Sequence, residues 1–250
     1  MKIDIIGTGK VANHLYSRMI SLPADSGIDC RMISSRTLEG LRPKADLLLI
    51  AVSDSAIREV AERVRDHWRQ GADGKPNTPP PLLAHVSGST PIEVLGVGLT
   101  GVFYPFQSFA EGVTVDFSTV PIMIEGNCTH SRDKLFRLAE TIGCRAYDCD
   151  GQRRRELHLC GVLACNFVNE LIGVAQERLR EAGLPPELIE PLVRKTVDKA
   201  LVNGAENVRT GPAVRGDSAT INAHKLLLSS DPALKDLYTR LSDLIIARSR

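Results

Sequence analysis

The chain has 250 residues, 43% of them hydrophobic and 24% charged, with a formal net charge of +1. That is enough material for one large or two modest domains, and the balanced charge argues against a nucleic-acid protein, which usually carries a basic excess. No basic-then-apolar leader precedes the first apolar segment, and no apolar run approaches the roughly 20 residues that span a bilayer, so a cytoplasmic protein with no membrane partner is expected.

The first dozen residues organise the rest. Lys2-Ile3-Asp4-Ile5-Ile6 reads as a short strand, and Gly7-Thr8-Gly9-Lys10-Val11-Ala12 follows it with G-x-G-x-x-A spacing. This is the dinucleotide-binding fingerprint. Gly7 permits the tight turn, Gly9 leaves room for a pyrophosphate, and Ala12 lets the next helix pack on the sheet. Val11, Leu15 and Met19 continue with helical spacing.

Ile28 to Ser34 reads as the second strand, whose end meets the adenosine ribose in such a unit. NAD-specific sites place a carboxylate there; here stand Ser34, Ser35, Arg36 and Thr37. Two hydroxyls and a guanidinium suit a 2′-phosphate, so NADP is the expected cofactor, although a surface Arg in a polar loop gives the same letters. Residues 45–52 (ADLLLIAV) form a near-continuous apolar run, as in a strand covered on both faces. It ends at Val52 and Ser53, with Ser53 or Asp54 placed to cap a helix from Ala56 to about Arg69.

Residues 71–81 read as a Gly/Pro-rich surface loop. The next strand, 82–86, ends in His85-Val86-Ser87-Gly88-Ser89, at the sheet edge where ligands bind. His85 is there a pocket residue or a capping group, and Ser87 and Ser89 contact a ligand or shape the turn. A strand at about 101–104 leads into Pro105-Phe106-Gln107-Ser108-Phe109, whose aromatics suit a core and whose Gln107 can face a substrate. A strand at 120–125, a helix at about 130–142 and a strand at 145–147 complete the first half.

From about residue 150 the pattern turns helical. Arg153 to Ala182 reads as one helix of roughly 30 residues closed by Gly183, apolar on much of its circumference and so expected to be buried over much of its length. Arg153-Arg154-Arg155 reads as its solvated start. A helix from about 186 to 202, a polar loop to Arg215, a helix capped by Asp217 and a last helix capped by Asp231 follow. Cys30, Cys128, Cys144, Cys149, Cys160 and Cys165 contain no C-x-x-C pair and read as reduced thiols. Nothing completes a tetrahedral set around Cys128-Thr-His130, so no metal site is expected.

The N-terminal fingerprint, His85-x-Ser87-Gly88, Tyr104-Pro105-Phe106-Gln107-x-Phe109, His158 with Asn166, and Thr210-Gly211-Pro212-x-x-Arg215-Gly216-Asp217 together resemble one bacterial family. It is a Rossmann-like family whose helical C-terminal half is catalogued as a domain of unknown function and whose members are usually labelled NADP oxidoreductases. At one remove the pattern is similar to pyrroline-5-carboxylate reductase, the 3-hydroxyacid dehydrogenases and prephenate dehydrogenase. The resemblance implies a doubly wound, mostly parallel sheet over residues 1–149 that binds the dinucleotide through Gly7, Thr8, Gly9, Lys10, Val11, Ser34, Ser35, Arg36, Val52 and Ser53. It implies an all-helical domain over 150–250 for substrate binding and homodimerisation. The 3-hydroxyacid dehydrogenases carry a Lys four residues before the Asn of the long helix. Here that position is Val162, and no Lys lies between Glu156 and Glu181.

The expected catalytic residues are therefore His158, a side chain type that titrates near neutral pH, and Asn166, which lies eight positions on. On a regular α-helix that spacing means roughly 12 Å of rise and about 80° of rotation. His85, Ser87, Gln107 and Arg215 are the candidate substrate contacts, with Arg215 either clamping a carboxylate or pairing with Asp217. The expected function is NADP-dependent hydride transfer to or from a small polar or carboxylate substrate held between the halves. A dinucleotide-binding sensor without chemistry is the alternative, and a deazaflavin-dependent reductase would need a second cofactor site.

Overall fold

A computed structural model describes residues 1–69 and 80–249. Most of the expected 71–81 loop thus lies outside the described residues. Contacts divide the chain into Met1–Asn169 and Glu170–Arg250, so the first unit runs some twenty residues beyond 149 and takes in the start of the long helix.

The first unit is built on a seven-stranded sheet in the order β2-β1-β3-β4-β5-β6-β7. The strands are β1 (Lys2–Ile6), β2 (Asp29–Ile33), β3 (Leu47–Ile50), β4 (Leu82–His85), β5 (Thr100–Pro105), β6 (Pro121–Gly126) and β7 (Arg145–Asp148). All neighbours pair in parallel except β5 with β6. Side chains alternate between two apolar layers because the strand period is two. Ile3, Ile5, Leu47, Leu49, Leu82 and Ala84 face α1 (Lys10–Ile20) and α3 (Thr129–Thr141). Ile6, Leu48, Ile50, Leu83 and Val102 face α2 (Ile57–Arg69). Asp4, buried between two isoleucines, is matched by Arg42, whose Nε lies 2.6 Å from its Oδ1.

The strand order reverses beside β1, where β2 lies to one side and β3 to the other. Crevices at the carboxyl ends of such strands are where open α/β sheets bind ligands. The chain thus sets the fingerprint turn at the head of this crevice.

Gly151–Glu181 is one continuous 31-residue helix, but it is not regular. It comprises α4 (Gly151–Gly161), a π-turn (Val162–Asn166) and α5 (Phe167–Glu181). The expectation that it is buried does not hold within the chain: its one buried side chain is Arg154. Leu163 and Phe167 are more than half exposed. Its central stretch, with a mean hydropathy of 1.5, is also long and apolar enough by length and composition to cross a membrane. That corrects the reading that no run comes near that length; Asn166, Asn169 and Glu170 break the run and conceal it.

The second unit adds α6 (Glu190–Asn203), α7 (Pro212–Arg215), α8 (Ser218–Leu227) and α9 (Pro232–Arg248). Asp217 and Asp231 cap α8 and α9 by accepting the N–H groups of Thr220 and Leu234. Among its described residues only Ala213, Ile221 and Ser242 are buried. Helices as long as α6, α8 and α9, packed with the end of α5, normally enclose an apolar core, and this unit does not close one from its own described residues.

Candidate active site

The turn after β1 is shaped as the fingerprint requires. Gly7 has φ +135°, and a Cβ there would fall 2.2 Å from the Ala51 carbonyl oxygen, so no other residue fits. In front of Gly9 a Cβ would meet nothing within 4 Å. Ala12 is buried against the sheet. An open space thus faces Gly9 and the N-terminus of α1, where unpaired N–H groups favour an anion. Gly7, Thr8, Gly9, Lys10, Val11, Ser35, Arg36, Ala51, Val52, Ser53, Val86, Gln107 and Phe109 line a cleft of about 530 Å³. Nine of the ten expected cofactor residues meet there, and Ser34 adjoins Ser35. A larger cleft of about 710 Å³ shares Thr8, Gly9 and Lys10 and continues along the polar side of α1 to Glu111 and Thr114. Only the first reaches the strand ends.

The loop after β2 is held in one shape. Ser34 Oγ accepts the Arg36 N–H at 3.3 Å, and the Leu38 N–H bonds the Ser34 carbonyl at 3.0 Å. Leu38 adopts φ +56°, a strained value for a leucine, and is buried in the core. From α2, Arg63 donates to the carbonyls of Ser35 at 2.9 Å and Arg36 at 2.5 Å. The Arg36 guanidinium itself is exposed. Arg63 was not legible as a site residue, since one arginine in a charged helix carries no signal of what it reaches.

At the end of β4 the turn is held by its own polar groups, with His85 Nε2 the one buried side-chain atom of it left without a hydrogen-bond partner. His85 is fully buried, and its Nδ1 accepts the Ser87 N–H at 3.1 Å. Burial, then the nearby Arg154 charge, pulls its pKa down to about 4, so the ring is neutral. Ser87 Oγ accepts the N–H groups of Ser89 and Thr90. Ser89 Oγ donates to Asp54 at 2.5 Å, so Asp54 secures this turn instead of capping α2 by its side chain. His85 and Ser87 therefore shape the turn from inside the protein, while Gln107 lies on the cleft wall and accepts the Ser108 N–H.

His158 stands beside this turn. Its Nδ1 lies 3.2 Å from the Tyr104 hydroxyl. One helical turn earlier, Arg154 is completely buried, ion-paired to Glu125 and donating to the Thr90 carbonyl at 2.8 Å. The expectation of a solvated Arg153-Arg154-Arg155 start is thus wrong for the middle residue. Arg154 and His158, four apart, share one helix face; the first bolts that face to the turn and to β6, and the second is held against it.

Asn166 ends the π-turn and is exposed. The i→i+5 bond from Phe167 to Val162 absorbs about one extra residue, which takes Asn166 back from the 80° offset of a regular helix towards the His158 face. In the second unit, Arg215 is exposed and makes no ion pair, while Asp217 spends its carboxylate on Thr220. Of the two readings of Arg215, the pairing with Asp217 makes no salt bridge among the described residues, although the Arg215 charge is among the causes that lower the Asp217 pKa. Among the described residues no group of three or more His, Cys, Asp or Glu side chains could hold a metal ion.

Fold and site together define a Rossmann-type dinucleotide-binding protein with a helical C-terminal half. Residues 120–245 match the domain of unknown function DUF2520. The chain belongs to that family. It is 30% identical to a Bacteroides fragilis protein assigned as an NADP oxidoreductase, with a TM-score of 0.83 and 98% of each chain covered. A Thermotoga maritima protein has 20% identity, a TM-score of 0.70 and coverage of 99% of this chain and 98% of its own. The 1-pyrroline-5-carboxylate reductase of Streptococcus pyogenes has 14% identity and a TM-score of 0.58, covering 100% of this chain and 98% of its own. The last two likenesses speak to the fold alone. No curated protein matches the sequence.

Proposed function

We propose that this protein is an NADP-dependent oxidoreductase acting on a small polar or carboxylate substrate, with His158 moving the proton. The observation that carries the reading is the fixing of His158 by Arg154 and Tyr104 against the 85–90 turn, whose Val86 lines the dinucleotide cleft. A histidine that serves only to fill space needs no such set of partners, whereas a proton donor must be held in one geometry. NADP(H) in the 530 Å³ cleft would supply or accept the hydride. Ser34, Ser35 and Arg36 would hold the 2′-phosphate, and Gly9 with the α1 N-terminus the pyrophosphate. His158 would give its proton to the reduced substrate or take it in the reverse direction. Asn166 would orient the substrate through its amide.

Val162 where related dehydrogenases carry Lys makes His158 necessary to this reading. The test is NADPH consumption with small keto acids, cyclic imines and cyclic enoates. On a substrate that is turned over, His158→Gln should lower turnover about 10²–10⁴-fold and leave NADPH binding intact. Native turnover in that variant removes His158 from the mechanism. NADPH binding without consumption on any of these compounds favours the sensor.

We also propose a cytoplasmic homodimer formed through the helical half. Support comes from the second unit, which has too few buried residues to stand alone, and from the exposed Leu163, Phe167 and Leu171. A reducing compartment would keep the six free cysteines as thiols.

A further inference from the structure

We infer that Tyr104 is a positioning residue that sets the tautomer of His158, and that Gly88 is the spacer that lets the two rings meet. The inference rests on the reading of His158 given above. The Tyr104 hydroxyl reaches Nδ1 at 3.2 Å, and the rings meet edge to face with centroids 6.1 Å apart. A hydroxyl that donates to Nδ1 leaves the ring proton on Nε2, the nitrogen turned away from Tyr104. Burial, then the Asp54 charge, pushes the Tyr104 pKa up to about 12, so the phenol keeps its proton to donate. When the imidazole is charged, the same oxygen can accept from Nδ1. One hydroxyl therefore supports both protonation states and releases the Nε2 proton to whatever stands before it.

Gly88 explains why the turn after β4 is so tightly held. A Cβ there would lie 2.6 Å from Tyr104 Cζ and 2.7 Å from His158 Nδ1. Nothing strains its backbone towards glycine, since its φ lies outside the left-handed range. The absence of a side chain is therefore for the two rings. His85 and Ser87 fix this turn from behind, and Phe106 packs against both Tyr104 and Gly161. His85-x-Ser87-Gly88 and Tyr104-Pro105-Phe106 thus converge on a single imidazole.

The test uses the full-length protein labelled with 15N-histidine, with His158→Gln identifying the His158 signals. In the native protein with a neutral imidazole, Nδ1 should show the shift of an acceptor nitrogen and Nε2 that of an N–H. Tyr104→Phe keeps the ring and removes the hydroxyl; Gly88→Ala keeps both groups and separates them. Each should move the Nδ1 and Nε2 shifts towards a mixture of tautomers. On a compound that consumes NADPH, each should lower kcat about 10–100-fold with the NADPH Kd unchanged, the size found for partners that orient metal-bound imidazoles. Unchanged nitrogen shifts in Tyr104→Phe overturn the inference whatever the activity. Altered shifts with native turnover leave Tyr104 setting the tautomer and refute the catalytic reading of His158. The two failures are thus separable.

Discussion

Cofactor choice gives the sharpest test of the loop after β2. A 2′-phosphate there would gain charge-assisted hydrogen bonds, worth about 1.5–3 kcal/mol each when partner and geometry are good. Arg36 is exposed, so the lower end applies. About 1.5 kcal/mol corresponds to roughly tenfold in Kd. Arg36→Ala should therefore weaken NADPH about tenfold and leave NADH nearly untouched. Arg63 reaches the same loop through the carbonyls of Ser35 and Arg36. Arg63→Met should then weaken NADPH by releasing the loop, less than tenfold because Leu38 and its bond to Ser34 still anchor it. If Arg63 works only through that loop, the double variant binds NADPH little more weakly than Arg36→Ala alone, a coupling a double-mutant cycle reads directly. Fluorescence titration of the four proteins with both dinucleotides supplies the numbers. Equal native affinity for NADPH and NADH, or fully additive losses, would refute the reasoning.

Two further outcomes are expected. His85 is neutral in the folded protein with its pKa near 4, against an ordinary 6.5. Between those values the unfolded chain binds the extra proton and the native one does not, so stability falls as pH drops from about 6.5 to 4, by about 3 kcal/mol for this residue. His85→Asn should remove that part of the slope in urea titrations, and identical slopes in the two proteins would contradict it. Light scattering at micromolar concentration should report twice the 27.2 kDa chain mass; a monomer, with or without NADPH, would refute the dimer.

Fold class was legible because strands covered on both faces have a distinct grammar. Continuous apolar runs such as 45–52, glycine spacing after β1 and caps at Asp217 and Asp231 are local signals with local causes. The errors lie where a residue's fate depends on something distant. Arg154 sits in a run of three arginines, and only the turn of residues 85–90 and Glu125, brought up from other strands, makes it a buried bolt. Asp54 carries the letters of a helix cap, but Ser89 competes for its carboxylate and wins. Asp4 looks misplaced in β1 until Arg42 closes over it.

The catalytic reading depends most on what could not be read in one dimension. The sequence puts His158 and Asn166 eight apart, and a regular helix would turn them about 80° away from each other. A π-turn costs hydrogen-bond geometry and is found chiefly where that cost secures something else. Here it begins immediately after Gly161, the residue pressed against Phe106, so the helix leaves its regular path just past its last glycine contact with the sheet unit. Restoring a regular helix would leave His158 pinned by Arg154 and Tyr104 but return Asn166 to an offset of about 80° from it. The side chain that most needs a fixed place is thus set before the irregular turn, and the one that would follow the substrate is set within it.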